Sequence, residues 1–243
     1  MLASFCGKSS SFLAYYRPTD QLEFYPSKDW KFMSFAKLAV ATACIAFCLL
    51  EPSSAEDPGG FISLFNGENL SGWKPAEENP ESWKVVDGML VCEGPRCHLF
   101  YEGDQVPLKD FHFIAEVKTT KGSNAGIYFH TKYQPTGWPK YGYECQVNVT
   151  HTDPKKTSSL YAVENVSDPG VKDDEWYTQE IIVSGRRIQL KVNGKILVDY
   201  TEPVNKQPES DQFERRLDSG TFALQAHDPD SKVYFRNLRV KRL

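Results

Sequence analysis

The chain has 243 residues, with 28 Lys or Arg against 32 Asp or Glu and a formal net charge of −4 at pH 7. A nucleic-acid-binding protein normally carries a basic patch, so this charge balance argues against a nucleic-acid partner. Hydrophobic residues make up 40% of the chain and aromatic residues 13%, which is enough to fill a hydrophobic core.

The first recognisable segment is an apolar run at residues 38–50, directly after Lys37. Its length suits the hydrophobic region of a secretory signal and is shorter than the roughly 20 residues that a membrane-spanning helix needs. Ser53 and Ala55 are small residues where a signal peptidase would read, so we expect cleavage after Ala55 and a mature chain from Glu56. We therefore expect an exported protein, periplasmic or extracellular, with no membrane attachment after cleavage.

Two details of this leader carry further expectations. Either Met33 is the true start, which gives a conventional short leader, or the leader has an unusually long N-terminal region; the layout favours Met33. Cys48 follows the bulky Phe47 and lacks the small preceding residue of a lipoprotein signal, which predicts a product without a lipid anchor.

Residues 56–243 have a suitable length for a single domain. Without residues 1–55 the chain keeps 23 Lys or Arg and 28 Asp or Glu, so it stays acidic. In an oxidising compartment Cys92 and Cys97 could bridge and leave Cys145 free, or all three could be buried thiols. Their spacing contains no Cys-x-x-Cys pair, so we expect no zinc cluster, and no other cofactor is indicated.

The pattern after residue 56 is that of strands. Apolar residues alternate with a period of two, as at residues 111–117 and 188–192, and do not follow helical spacing for three turns. Asn193 and Gly194 suit a type I′ turn, which predicts a three-stranded meander over residues 181–200. Many short antiparallel strands without helices predict an all-β sandwich.

Alternation also predicts which polar side chains share a face of the sheet. In the strand at residues 143–148, the polar side chains should point away from the apolar ones. Two other strands offer similar polar stripes, and together the three stripes contain Tyr128, His130, Glu144, Gln146, Asn148, Gln225 and His227. If these strands are neighbours, Glu144 converges with the two histidines on a surface that can hold a sugar and move a proton. The alternative is a solvated glutamate and structural histidines.

Four long irregular segments connect the predicted strands, at residues 131–141, 151–157, 164–174 and 202–217. Long loops on a rigid sandwich often carry binding groups, and we expect this of the first three. For residues 202–217 a solvated connection is the stronger expectation.

Seven motifs in chain order resemble the 3-keto-disaccharide hydrolase family, long known as a domain of unknown function. The resemblance covers residues 61–243, and its motifs lie at residues 64–73, 83–88, 123–130, 142–148, 175–177 with the Asn193-Gly194 hairpin, 220–227 and 235–238. It implies a concanavalin A-like jelly-roll β-sandwich with the ligand on the concave sheet. It also implies that Glu144, Gln146, Gln225 and His227 face that ligand. Two positions depart from the family pattern: Ala125 replaces a usual Ser, and His130 stands where many relatives have Arg.

The resemblance implies cleavage of glycosides whose sugar carries a ketone at carbon 3. The ketone acidifies the C2–H bond, so a base can form an enolate that expels the glycosidic oxygen, and water then adds. This route needs a general base, enolate stabilisation and a general acid. The candidates are Glu144, His227 and His130, with His227 or Glu144 favoured as base. Binding of a small-molecule or oligosaccharide substrate is assigned to Gln146, Asn148, Gln225 and Tyr128.

Two other functions remain open. An ordinary retaining glycosidase needs two carboxylates about 5 Å apart; the strand of Glu144 offers one, and Asp153 or Asp168 could supply another from a loop. A lectin-like carbohydrate-binding module would use the same amides and aromatic rings without any chemistry. His98 and His112 do not lie on a polar stripe with other candidate site residues, so they are expected to be structural.

Overall fold

The computed structural model describes residues 57–243, so the predicted leader, with Met33 and the cleavage site at Ala55, lies outside the described residues. The described part contains thirteen β-strands and one short 3-10 helix, Pro80–Ser82. The strands are β1 (Ile62–Ser63), β2 (Trp73–Pro75), β3 (Trp83–Val86), β4 (Met89–Glu93), β5 (Cys97–Tyr101), β6 (Phe111–Thr119), β7 (Asn124–Thr131), β8 (Tyr143–Asn148), β9 (Tyr177–Ser184), β10 (Arg187–Val192), β11 (Lys195–Thr201), β12 (Thr221–Ala226) and β13 (Lys232–Arg242). Within this part of the chain, no helix has the length and apolar character of a membrane span.

The strands form two antiparallel sheets, which confirms the predicted all-β sandwich. The larger sheet has eight strands in the order β11-β10-β9-β6-β13-β4-β3, with β1 also paired to β13. The smaller sheet has five strands in the order β2-β5-β12-β7-β8. Sequence neighbours β4 and β5 lie in different sheets, so the chain crosses the sandwich between them.

Aromatic side chains from both sheets fill the space between them. Phe113 of β6 and Phe222 of β12 bring their ring centroids to 4.5 Å, and Phe111 lies edge-on to Phe222 at 5.0 Å. All three residues are almost completely buried. Burial of such large rings supplies most of the apolar area that stabilises the stacked sheets.

The C-terminal half of the eight-stranded sheet contains the predicted meander. β9 pairs with β10, and β10 pairs with β11, both antiparallel. The second turn has φ values of 49° at Asn193 and 78° at Gly194, as a type I′ turn requires. The meander prediction is therefore confirmed.

All three described cysteines are free and buried, so the predicted alternative of a Cys92–Cys97 bridge is wrong. Cys92 lies on β4 and Cys97 on β5, which belong to different sheets. Stacked sheets are about 10 Å apart, whereas a disulfide joins Cα atoms separated by about 4.4 to 6.8 Å. Burial raises the pKa of Cys145 to about 12, so this thiol stays protonated and behaves as a small apolar group.

Candidate functional site

The outer face of the five-stranded sheet carries the predicted polar stripes. Tyr128 of β7 lies directly opposite Glu144 of β8. One step along, Gly126 lies between Gln146 of β8 and Gln225 of β12. The prediction that these polar side chains share one face is therefore confirmed.

Glu144 lies at the centre of this face. Tyr128 donates its hydroxyl hydrogen to Glu144 Oε2 at 2.9 Å, and Gln225 Nε2 donates to Glu144 Oε1 at 3.1 Å. The residue is only 9% exposed, and this burial raises the pKa of Glu144 to about 7, although the two hydrogen bonds act in the opposite direction. A carboxyl group with this pKa can both accept and return a proton near neutral pH.

The missing side chain of Gly126 makes room for this carboxylate. A Cβ atom built on Gly126 would lie 2.3 Å from Glu144 Oε1 and 3.0 Å from Glu144 Cδ, well inside van der Waals contact. Any other residue here would force Glu144 away from Tyr128 and Gln225. The absence of a Cβ at Gly126 therefore leaves the space that the carboxylate occupies.

A cavity of about 210 Å³ opens above Glu144. Three strands form its floor, and loops form its walls. Its lining combines acids, amides, aromatic rings and two cations: Asn124, Tyr128, Trp138, Pro139, Lys140, Gly142, Glu144, Gln146, Asp153, Tyr161, Phe213, Arg215, Gln225 and His227. Concave sites with aromatic walls and a few convergent polar groups are typical of small-molecule binding.

His227 lies on the wall of this cavity, just after β12. Its Nδ1 atom is 2.7 Å from Asp228 Oδ2, and Ser231 donates a second hydrogen bond of 2.8 Å to the same oxygen. Burial alone would raise the pKa of Asp228, but the bonds from His227 and Ser231 outweigh it and hold that pKa below its usual value. The ionised Asp228 therefore fixes the ring orientation of His227.

Two amide oxygens of the floor are left for a ligand. Gln146 Nε2 donates to Asn124 Oδ1 at 2.8 Å, and Gln225 Nε2 also bonds the Tyr128 hydroxyl at 3.2 Å. The Oε1 atoms of Gln146 and Gln225 are buried and have no hydrogen-bond partner among residues 57–243. Buried amide oxygens normally have a partner, and a sugar hydroxyl in the cavity would provide one.

His130 does not join this cluster, and the expectation that it converges with Glu144 is wrong. The register of β7 against β12 shifts at this point, and His130 has a φ of 56°, so it is the extra residue of a β-bulge. Its Nε2 atom is 2.8 Å from the Lys109 carbonyl oxygen, and its ring packs edge-on against Phe111 at 5.5 Å. Burial lowers the pKa of His130, which keeps the ring neutral in this structural position.

Asn148 lies on the predicted face but is not part of the cavity lining. Its Nδ2 atom donates to the carbonyl oxygens of Asp153 at 3.0 Å and Lys155 at 2.9 Å. The expectation that Asn148 binds the substrate directly is therefore wrong. Instead, Asn148 holds the loop that carries Asp153 into the cavity wall.

The segment at residues 202–217, expected to be a solvated connection, forms part of the cavity. Phe213 and Arg215 from this segment line the cavity opposite the strands. Sequence analysis also missed Trp138 and Tyr161 as lining residues, although Trp138 lies in a loop expected to bind. A charged or aromatic residue in a long loop carries no periodic signal, so alternation could not have identified Phe213 or Arg215.

The two histidines expected to be structural have structural surroundings. His112 Nε2 is 2.8 Å from Glu180 Oε2 on the outer face of the eight-stranded sheet. His98 is buried beside the cavity floor, with its ring 5.5 Å from Tyr128 and 5.6 Å from Trp138. Burial lowers the pKa of His98 to about 3, so this ring supports the floor as a neutral group.

Residues 57–243 contain no group of three or more His, Cys, Asp or Glu side chains arranged to hold a metal ion. The polar groups that the cavity does bring together are a buried carboxyl, an Asp-supported imidazole, a guanidinium and two free amide oxygens. This set can accept and donate protons and can hold a neutral polyhydroxylated ligand.

Known proteins are similar to this chain. A protein named 3-keto-disaccharide hydrolase from Bacteroides thetaiotaomicron is 24% identical over 234 residues, covering 77% of this chain and 80% of its own. A crystal structure of a glycosyl hydrolase candidate from Parabacteroides distasonis superimposes with a TM-score of 0.62 and 22% identity, covering 76% of this chain and 94% of that one.

A carbohydrate-binding module from Bacillus subtilis shares the fold with a TM-score of 0.50 and 12% identity, covering 71% of this chain and 97% of that one. The profile of the 3-keto-alpha-glucoside-1,2-lyase-like domain matches residues 60–241, which includes both sheets and every residue of the cavity lining. The chain therefore belongs to the 3-keto-alpha-glucoside-1,2-lyase-like family.

Proposed function

We propose that the protein is a carbohydrate-active enzyme that cleaves 3-keto-glycosides by elimination followed by hydration, with net hydrolysis. Family membership and the name of the Bacteroides relative support this class of substrate. The observation that carries the proposal is Glu144, a buried carboxyl with a pKa of about 7 on the floor of the cavity. Such a pKa matches a group that takes and returns a proton in each turnover.

Glu144 is the general base in this proposal. It removes the proton from carbon 2, and the electron pair of the C2–H bond moves into the ketone to form an enolate. Tyr128 and Gln225 donate hydrogen bonds to the carboxylate of Glu144. These bonds orient the carboxylate and favour the ionised form, which is the form that can accept a proton. The enolate then collapses, forms a C1=C2 double bond and expels the glycosidic oxygen.

His227 is the general acid that protonates this leaving oxygen. Asp228 bonds its Nδ1 atom, which leaves Nε2 as the nitrogen that can give a proton to the substrate. The same bond to Asp228 fixes the orientation of the imidazole for this transfer. Water then adds to carbon 1 and gives one proton to His227, which restores the acid. The Glu144 carboxyl, whose proton exchanges with solvent after the elimination, protonates carbon 2.

The remaining groups of the cavity hold the sugar. The free Oε1 atoms of Gln146 and Gln225 accept hydrogen bonds from its hydroxyl groups. Trp138 and Tyr161 provide aromatic faces on the cavity wall for the apolar faces of sugar rings. These contacts orient carbon 2 towards Glu144.

Incubation of the purified protein with a 3-keto-glycoside in D₂O tests the proposal. Elimination and hydration exchange the hydrogen at carbon 2, so NMR of the released sugar should find deuterium there. The unoxidised parent glycoside should not be cleaved, because its C2–H bond is not acidic. Product that retains hydrogen at carbon 2 would contradict the proposed route.

Asp153 favours a second candidate function, since it places another carboxylate in the cavity with Glu144. A retaining glycosidase of this kind would cleave the unoxidised parent and leave the C2–H bond intact. Binding of both sugars without turnover of either would instead favour the lectin-like alternative. The incubation together with calorimetric titration of both sugars therefore separates all three functions.

Export belongs to this proposal as well, because such an enzyme would act on glycosides outside the cytoplasm. The apolar run at residues 38–50 and the small residues Ser53 and Ala55 support it. Mass spectrometry of the exported protein should find an N-terminus at Glu56. An N-terminal peptide that retains residues 38–50 would contradict this processing.

A further inference from the structure

The segment at residues 202–217 is fixed to the body of the domain at both ends. Glu202 is buried, and its Oε2 atom accepts hydrogen bonds from the Tyr143 hydroxyl at 2.6 Å and the Leu217 amide at 2.7 Å. Near the cavity, the Glu214 amide donates to the Lys140 carbonyl oxygen at 2.9 Å. Arg215 lies between Glu214 and Leu217 in the chain, so these bonds hold it at the cavity wall.

Arg215 is held in a defined position. Its φ of 44° lies in the left-handed region that arginine rarely adopts, and its side chain is only 16% exposed. The guanidinium lies 4.8 Å from the ring centre of Phe213 and 5.8 Å from that of Tyr161, and it forms an ion pair with Glu209. A strained backbone together with a half-buried cation is unusual for a connecting loop.

Arg215 is also electrostatically coupled to Glu144. Apart from His227, the proposed general acid, the charged side chains that line the cavity are Glu144, Asp153, Lys140 and Arg215. Burial is the main cause of the raised pKa of Glu144, the charge of Arg215 acts to lower it, and the charge of Asp153 acts to raise it. Asp153 already forms an ion pair with Lys155, in which Asp153 Oδ1 lies 3.8 Å from Lys155 Nζ. Arg215 is therefore the cation whose field reaches the proposed base.

We propose that Arg215 is a catalytic residue that stabilises the enolate oxygen on carbon 3. This inference rests on the proposed function, in which proton transfer to Glu144 places the electron pair of the C2–H bond on that oxygen. A guanidinium has five N–H donors, and a bond to Glu209 leaves several free to bind an oxygen in the cavity. Donors held in place in a site shielded from water are the largest source of oxyanion stabilisation in enzymes.

The adjacent arginine provides a matched control. Arg216 pairs with Glu214 at 2.7 Å, has a side chain that is 41% exposed and is not part of the cavity lining. We compare Arg215→Met, Arg215→Lys, Glu209→Gln and Arg216→Met with the wild-type protein on a 3-keto-glycoside. Glu209→Gln breaks the ion pair within the segment but keeps the charge of Arg215.

We expect Arg215→Met to lower kcat by about 10²-fold or more, as loss of an oxyanion donor does in other enzymes. Arg215→Lys should recover part of this loss, while Glu209→Gln and Arg216→Met should change kcat by less than about tenfold. In Arg215→Met, residual activity should also need a higher pH, since removal of the cation raises the pKa of Glu144. This shift of the pH profile would not follow from a merely structural role.

Three results would overturn the inference. A fully active Arg215→Met variant would overturn it while leaving the proposed function intact. An equal loss in Glu209→Gln would show that Arg215 only holds the segment in place. A wild-type protein that does not turn over 3-keto-glycosides would overturn both the proposed function and the role of Arg215.

Discussion

The two sheets have the same alternation of apolar and polar residues but different outer faces. Along β6 of the eight-stranded sheet, every second residue is half-exposed. Along β5, β7, β8 and β12 of the five-stranded sheet, every residue is buried, although many of the outward ones are polar. The loops that cover the smaller sheet account for this difference, because they replace solvent with a cavity.

Two glutamates show what this covering does. Glu116 on β6 bonds Arg236 at 2.6 Å and Asn237 at 2.7 Å, and its side chain is 29% exposed. Partial burial would raise the pKa of Glu116, but these bonds outweigh it and lower the pKa. At Glu144 the hydrogen-bond donors are neutral, so burial has a larger effect than these bonds and raises the pKa to about 7. The covered sheet therefore contains the carboxyl group suited to proton transfer.

The largest expected effect is on turnover. Glu144→Gln should lower kcat on a 3-keto-glycoside by about 10²-fold or more, because the amide cannot accept the C2 proton. Glu116→Gln is the matched control on the open sheet and should leave kcat unchanged. Sugar binding measured by calorimetry should persist in both variants. Full activity of Glu144→Gln would contradict the proposal that the sheet covered by loops carries the catalytic carboxyl group.

The pH dependence of stability should have opposite signs for the two glutamates. The folded-state pKa of Glu144 lies near 7, above its ordinary value of 4.5, so the folded state binds the proton more tightly and loses stability as pH rises between these values. Glu144→Gln should therefore gain up to about 3 kcal/mol over wild type at pH 8, and this gain should vanish below pH 4.5.

Glu116 has a lowered pKa in the folded state, so its contribution to stability is present above its ordinary pKa and is lost as pH falls. Urea unfolding of wild type, Glu144→Gln and Glu116→Gln between pH 4 and 8 measures both trends. A Glu144→Gln gain that does not depend on pH would contradict the raised pKa.

Gly126→Ala tests how tightly the covered face is packed. The added Cβ would lie 2.3 Å from Glu144 Oε1, and overpacking of this kind costs about 1 to 3 kcal/mol. In a Glu144→Ala background the carboxylate is absent, so the same substitution should cost less. A double-mutant cycle of unfolding free energies measures this coupling. Equal costs in both backgrounds would show that Glu144 is not the obstacle.

The smallest effect is expected on the open sheet. Loss of the Glu116–Arg236 pair in Glu116→Gln should cost about 0.2 to 1 kcal/mol at pH 7, because solvent screens a half-exposed ion pair. High salt should reduce this cost further. Unfolding midpoints at low and high ionic strength provide the measurement, and a cost above 2 kcal/mol would contradict the comparison between the sheets.

Much of the fold and part of the site could be predicted from the residue pattern. Period-two alternation predicted the sandwich and placed Glu144, Gln146 and Gln225 on one face, because successive side chains of a strand point in opposite directions. The Asn193-Gly194 pair predicted the hairpin, since both positions need positive φ. Alternation and turn preference depend only on residues close together in the sequence. They can therefore be predicted without knowing which distant segments pack against them.

Features that depend on contacts between distant segments could not be predicted. The bulge at His130 reverses the direction that alternation assigns to its side chain, and it arises from the pairing of β7 with β12. Arg215 reaches the cavity because Glu202 and Glu214 fix its segment to residues far away in the sequence. Sequence alone thus determined which polar side chains share the face of the sheet. The tertiary structure decided which of them are buried, because burial depends on the loops that cover that face.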